Sequence, residues 1–170
     1  EQKNVQTILE DENGDLLIGT WQDGLYRYHI KENKFTHYPP LSENNSVLSL
    51  FQDSRGVLWV GTSGYGLYKV NFSSDKQTLS IEKNYRYDPL NISSIPSDYI
   101  YSIHEDLQTH SLWLGSRDGI GIMNMANEGT FINYKESNPE HYLPVREVNT
   151  VFRDKNGLMW IGTKGTGVFH

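Results

Sequence analysis

Residues 47–62 read VLSLFQDSRGVLWVGT. A strand-like run ends at Asp53, a Ser-Arg-Gly turn follows, and VLWVG then runs apolar without alternation before Gly61-Thr62. A strand that is apolar at every position is covered on both faces, whereas one with a wet face alternates. The turn residues explain themselves: an Asp side chain bonds its own backbone two residues on, and Gly supplies a positive φ.

The same pattern recurs on either side. VQTILEDENGDLLIGT starts at Val5, IYSIHEDLQTHSLWLGS at Ile100 and VNTVFRDKNGLMWIGT at Val148, so successive starts lie 42, 53 and 48 residues apart. Asp53 to Trp59 and Asp154 to Trp160 are six residues, as is Asp11 to Leu17, while Asp106 to Trp113 is seven. The third unit therefore carries one extra turn residue. Each second strand closes on a glycine, namely Gly19, Gly61, Gly115 and Gly162, and a third strand follows (GLYRY from Gly24, GLYKV from Gly66, GIMNM from Gly121, GVFH from Gly167). A fourth strand is read at FTHY from Phe35 and FINY from Phe131, and more loosely at 81–85. Four strands per period of this length make a propeller blade rather than a solenoid repeat. The expected fold is all-β: a partial β-propeller of about four blades of four antiparallel strands, spanning 1–42, 43–95, 96–143 and an incomplete 144–170. Trp59, Trp113 and Trp160 are expected in the core between blades.

Composition narrows the function. Net charge is −6 and the pI about 5.5, which disfavours a nucleic-acid groove or an anionic membrane surface. There is no cysteine, so disulfides and thiolate chemistry are excluded. No run approaches the roughly 18 apolar residues of a membrane span, and direct membrane contact is not expected. The six histidines (29, 37, 104, 110, 141, 170) show no metal-ligand spacing, and no nucleophile elbow is present. Asp11, Asn13 and Asp15 resemble the opening of a calcium loop. Asp53-Ser-Arg-Gly56 and Asp154-Lys-Asn-Gly157 fill the same slot without the second carboxylate, so a structural turn is the better reading. No cofactor, metal or catalytic group is expected.

The runs YRYDPLNISSIPSDYIYSIHED with LWLGSRDGIGIMN, YPPLSENNSVLSLFQDSRGVLWVGTSGYGLYKV, and EVNTVFRDKNGLMWIGTKGTGVF resemble the repeat of the two-component-regulator propellers. These are the sensor regions of hybrid two-component systems in gut Bacteroides and their relatives. The resemblance implies a periplasmic array in an inner-membrane-anchored protein, followed by a histidine kinase outside this chain, and a response to carbohydrate fragments. The chain is then expected to be a piece of such an array, with the remaining propeller and sensor domains as partners. A propeller enzyme of the streptogramin-lyase type is the main alternative, and a purely structural scaffold the third reading.

In a four-stranded blade the turn between strands two and three opens on the same face as the link to the next blade. That geometry puts Trp21, Gln22, Asp23, Tyr65, Arg117, Asp118 and Lys164 on one rim, with Tyr87, Asp88, Tyr99, His141, Tyr142 and Arg146 from the links. Aromatic faces beside Arg, Lys and Asp suit a polar ligand such as an oligosaccharide. Trp21, Asp23, Tyr65, Arg117, Asp118, Arg146 and Lys164 are the candidate ligand contacts. Open blade faces at both ends predict self-association.

Overall fold

The computed structural model describes residues 3–170. Among them four antiparallel sheets form, each a meander in sequence order. The first holds β1 (Val5–Glu10), β2 (Leu16–Thr20), β3 (Gly24–His29) and β4 (Lys34–His37). The second holds β5 (Val47–Gln52), β6 (Leu58–Thr62), β7 (Leu67–Phe72) and β8 (Leu79–Tyr85). The third holds β9 (Ile100–Asp106), β10 (Ser111–Ser116), β11 (Gly119–Asn124) and β12 (Phe131–Tyr134). The fourth holds β13 (Val148–Arg153), β14 (Met159–Thr163) and β15 (Val168–Phe169) only. The first strands β1, β5, β9 and β13 pack against one another in succession and lie innermost. This is a four-blade propeller with the last blade incomplete.

The second strands show why they read as unbroken apolar runs. Leu58 and Val60 point back into a cluster with Leu17 and Leu25 of blade 1, while Trp59 points forward among Ile100, Ile103, Leu112 and Leu114 of blade 3. Both faces of β6 are therefore buried. A third cluster joins Ile120 to Val148 and Val151 in the same way, with Trp113 against its edge. Burying an aromatic of this size removes on the order of 200 Å² from water.

Close approach between blades occurs at the strand-two glycines. The first residue of each blade sits over the glycine of the blade before it. A Cβ on Gly19 would lie 2.5 Å from Val47 Cγ1, one on Gly61 would lie 2.8 Å from the Ile100 carbonyl oxygen, and one on Gly115 would lie 3.0 Å from that of Val148. Side-chain hydrogen bonds fasten the same seam: Ser49 Oγ donates to the Ile100 carbonyl at 3.1 Å, and Ser102 Oγ accepts from the Val151 N–H at 3.1 Å. Val47, Ile100 and Val148 are knobs, and Gly19, Gly61 and Gly115 are their sockets.

The turn aspartates latch the sheets from their outer end. Asp53 Oδ1 accepts the N–H groups of Arg55 and Val57, and Oδ2 accepts Trp59 Nε1 at 3.0 Å and Arg55 Nη2 at 2.9 Å. Burial works against its charge, but the bonds from Trp59, Arg55 and the Val57 N–H outweigh it and hold the carboxyl below its usual pKa. Asp154 repeats the arrangement with Asn156, Leu158 and Trp160. In blade 1, the Leu17 side chain has no N–H to offer, and the buried Arg27, its cross-strand partner, donates to Asp11 Oδ2 instead. In blade 3 the extra turn residue separates the pair: Asp106 takes Gln108 N, Thr109 Oγ1 and the Arg153 guanidinium, and Trp113 Nε1 turns to Ser111 Oγ. The six-residue Asp–Trp spacing is thus what the indole bond requires.

The three tryptophans are not equally buried, contrary to the expectation from their common register. Trp59 is fully enclosed, Trp113 is half-buried, and Trp160 is 37% exposed beside His170. The indole faces the following blade, and among the described residues no sheet follows blade 4.

Candidate functional site: a cleft on the loop rim

The strand-two-to-three turns do lie with the inter-blade links. Trp21 N–H donates to the Asn4 carbonyl, Arg117 N–H to Tyr99, Gly119 N–H to Arg146 and Lys164 N–H to Glu147. Most of the side chains named above are then held locally rather than gathered together. Trp21 stands exposed at one end of the rim. Asp23 accepts from Tyr26 Oη at 2.6 Å and pairs with Lys3. Tyr65 lies under the Arg86 guanidinium, 5.3 Å from its centroid, and Arg117 covers Tyr99 at 4.9 Å. Lys164 pairs with Glu147 at 3.0 Å. That lysine, together with the Tyr101 hydroxyl, keeps the Glu147 carboxyl below its usual range, while burial and the Glu147 charge push Tyr101 up to about 12.

Three of the residues meet. Tyr87, Asp118 and Arg146 line a cleft of about 360 Å³ with Pro96, Lys135, Glu136, Ser137 and Val145. Arg146 Nε is 3.6 Å from Asp118 Oδ1, and Lys135 Nζ lies 5.8 Å from the centre of the exposed Tyr87 ring. A second cleft of about 340 Å³ shares Tyr87, Lys135 and Ser137 and continues along Asp88, Asn91 and Asn138. His141 packs at a tilt against Tyr134, centroids 4.9 Å apart, and Tyr142 is exposed outside both clefts. Lys135, Ser137, Asn133 and Asn138 are lining residues that repeat alignment does not mark.

The wall that carries Tyr87 is a built strap, residues 86–98. Arg86 grips Asp98 with a two-pronged pair at 3.0 and 2.8 Å, and Asp98 Oδ1 also takes the Tyr87 N–H at 2.8 Å. Asp88 and Asn91 close Asx turns on Leu90 and Ser93. Pro96 seats on Gly121, where a Cβ would lie 2.7 Å from its Cδ. Asn133 Nδ2 donates to the Ile92 and Ser94 carbonyls at 3.1 and 2.8 Å, while its buried Oδ1 meets no protein donor. The rim thus offers an aromatic face, two cations, two carboxylates and amide groups on a fixed frame.

No cluster of His, Cys, Asp or Glu among the described residues could hold a metal ion. At the calcium-loop-like turn, Asp11 Oδ1 accepts Asn13 and Asp15 N–H and Oδ2 accepts Arg27, so donors already occupy the oxygens a cation would need.

Residues 1–22, 41–64 and 142–165 match the family model described as two component regulator propeller. These segments contain the first two strands of blades 1, 2 and 4, with the Asp turn and the socket glycine. They resemble two-component-regulator propeller repeats. Blade 3, with its lengthened turn, lies outside the matched segments. Among solved structures, the extracellular domain of the hybrid two component system BT3049 from B. thetaiotaomicron is 28% identical over 95% of this chain and 19% of its own, with a TM-score of 0.70. The extracellular domain of BT4673 from the same organism is 23% identical over 96% of this chain and 21% of its own, TM-score 0.69. This chain therefore spans about a fifth of those proteins. A virginiamycin B lyase from Staphylococcus aureus, 14% identical over 94% of this chain and 48% of its own with a TM-score of 0.68, shares the propeller fold alone. No curated protein matches the sequence.

Proposed function

We propose that this chain is a non-enzymatic recognition segment of an extracytoplasmic sensor in a two-component system. It takes a carbohydrate fragment in the rim cleft between the 86–98 strap and the 135–147 link. We place it in the periplasmic part of an inner-membrane-anchored protein; the support is that a similar structure is the extracellular domain of a hybrid two component system. The observation that carries the reading is the cleft: the exposed Tyr87 ring shares a space of about 360 Å³ with Lys135, Ser137, Asp118 and Arg146. Aromatic rings stack on the C–H faces of sugars, and charged or amide groups bind the hydroxyls.

Signalling follows by linkage. A ligand shifts an arrangement of domains only by its difference in affinity for the two arrangements. The cleft lies between the link that enters blade 3 and the link that leaves it, so a ligand that ties the strap to the 135–147 link favours one setting of that link. The test is a thermal-shift screen of the chain with neutral and acidic oligosaccharides, with product analysis in parallel. The expected result is stabilisation by one sugar class, abolished in Tyr87→Ala and Arg146→Ala, without turnover. No shift with any class, or conversion of the sugar, would overturn the reading.

A further inference from the structure

The two rim clefts form one groove. Tyr87, Lys135 and Ser137 line both and make its waist. Its walls are fixed by hydrogen bonds. Lys135 N–H donates to the His141 carbonyl at 3.1 Å, and its own carbonyl accepts from Asn138 N–H at 3.1 Å. On the other side Asn133 holds the strap through the Ile92 and Ser94 carbonyls. A ligand that overfills the first cleft runs past Lys135 into the second.

The charges along the groove are unequal. Of the lysines and arginines in no ion pair among the described residues, Lys31, Lys34, Lys83, Arg117 and Lys155 are exposed, and Lys135 alone is half-buried. A cation drawn out of water is ordinarily paired, and the ammonium of Lys135 has only the Tyr87 ring near it. Arg146 adds a second cation to the first cleft, facing Asp118 through Nε at 3.6 Å. Glu136 is the opposing charge there, and it is exposed to water, which screens it. The second cleft has a different balance. Away from the waist its charged residue is Asp88, whose Oδ1 caps the Leu90 N–H and whose Oδ2 has no protein partner. Asn91 beside it uses Oδ1 on the Ser93 N–H and leaves its Nδ2 unbonded. A carboxylate and an amide with open positions suit hydroxyl groups, and the carboxylate repels a second anion.

Resting on the carbohydrate reading above, we infer that the groove takes an acidic oligosaccharide of two or more units. The anionic sugar occupies the first cleft against Lys135 and Arg146, and a neutral sugar lies in the second along Asp88 and Asn91. Carboxylate and sulfate groups share the chemistry that the two cations recognise.

Isothermal titration calorimetry of the chain at low salt tests the assignment. The probes are an aldobiuronic acid (one uronic unit joined to one neutral sugar), its neutral parent disaccharide, the free uronic acid and a diuronic acid. The aldobiuronic acid should bind about tenfold tighter than the neutral disaccharide, the scale of one charge-assisted hydrogen bond, with the difference shrinking as salt is added. It should also bind several-fold tighter than the free uronic acid or the diuronic acid. Lys135→Gln removes the acidic preference and leaves the weak neutral binding in place, whereas Lys135→Arg keeps the preference and shows that the link still folds. Asp88→Asn retains the oxygen that caps Leu90 and should raise the diuronic acid to the level of the aldobiuronic acid. A disaccharide sulfated on one unit, run beside the carboxylate, shows which anion is preferred. Equal binding of acidic and neutral disaccharides, or an acidic preference untouched by Lys135→Gln, would overturn the inference while leaving the carbohydrate reading in place. A free uronic acid that binds as tightly as the aldobiuronic acid would overturn the second subsite. Binding of no sugar at all would overturn both readings.

Discussion

Truncating Trp59 to alanine and truncating Trp160 to alanine remove the same atoms from the same register, yet the structure assigns them different costs. Trp59 is wholly enclosed between blades 2 and 3, its Nε1 bonded to Asp53 at 3.0 Å. Its loss combines transfer, cavity and an orphaned acceptor, about 3–5 kcal/mol by the range for buried large aromatics. For a chain of this length that lowers Tm by roughly 6–20 °C, at about 2–4 °C per kcal/mol. Trp160 keeps the analogous bond to Asp154 at 2.9 Å but has no blade over its outer face. Its truncation should cost about 1 kcal/mol, the scale of one net hydrogen bond and a partial loss of packing. Urea denaturation of both variants at low protein concentration reads the difference directly. Equal costs would mean that the indole bond, not burial by the next blade, sets the tryptophan's worth, and the account of blade packing would fail.

Other expectations follow from the same contacts. Arg27→Met leaves the buried Asp11 carboxylate without its charged partner, and should cost about 3–5 kcal/mol in the same denaturation assay. Gly61→Ala puts a methyl 2.8 Å from the Ile100 carbonyl oxygen and should destabilise strongly, whereas Gly162→Ala, which meets only its own blade's Thr150, should cost clearly less by thermal melt. His104 lies between Phe51 and Phe152, and burial first and the Arg153 charge second hold its pKa below 6.5, with Glu105 opposing weakly. The folded state therefore favours the neutral ring: stability is intact above pH 6.5 and declines as pH falls below it. His104→Phe, the residue at both flanking repeat positions, should flatten that slope between pH 6.5 and the carboxylate range in urea midpoints taken across it.

How much of this was legible before any coordinates depends on what a repeat can say. The six-residue step from Asp53 to Trp59 aligned the units and placed the strands, because turn chemistry and two-sided burial are local properties written in local residues. The glycine sockets were visible as recurring letters, but not what sits on them, since Val47 over Gly19 is a contact between units. Equal register also suggested equal burial for Trp113 and Trp160. Burial belongs to the neighbour as much as to the residue, and among the described residues no sheet follows blade 4. The rim was placed correctly by strand topology, yet only Tyr87, Asp118 and Arg146 of the candidate residues share a cleft. Lys135, Ser137 and Asn138 sit in a link whose length varies between units, where alignment carries no information. Trp21, Asp23, Tyr65, Arg117 and Lys164 are occupied by partners on their own blades or links, or stand apart at other points of the rim.

The cleft rests on the successive blades being fastened first residue to strand-two glycine. Methyl-to-Hα nuclear Overhauser effects on the dilute, isotope-labelled chain test that fastening most directly. Strong cross-peaks are predicted from Val47 to Gly19, Ile100 to Gly61 and Val148 to Gly115. Absence of the first three would show that the sheets do not stack in this order, and would contradict the propeller on which the rest is built.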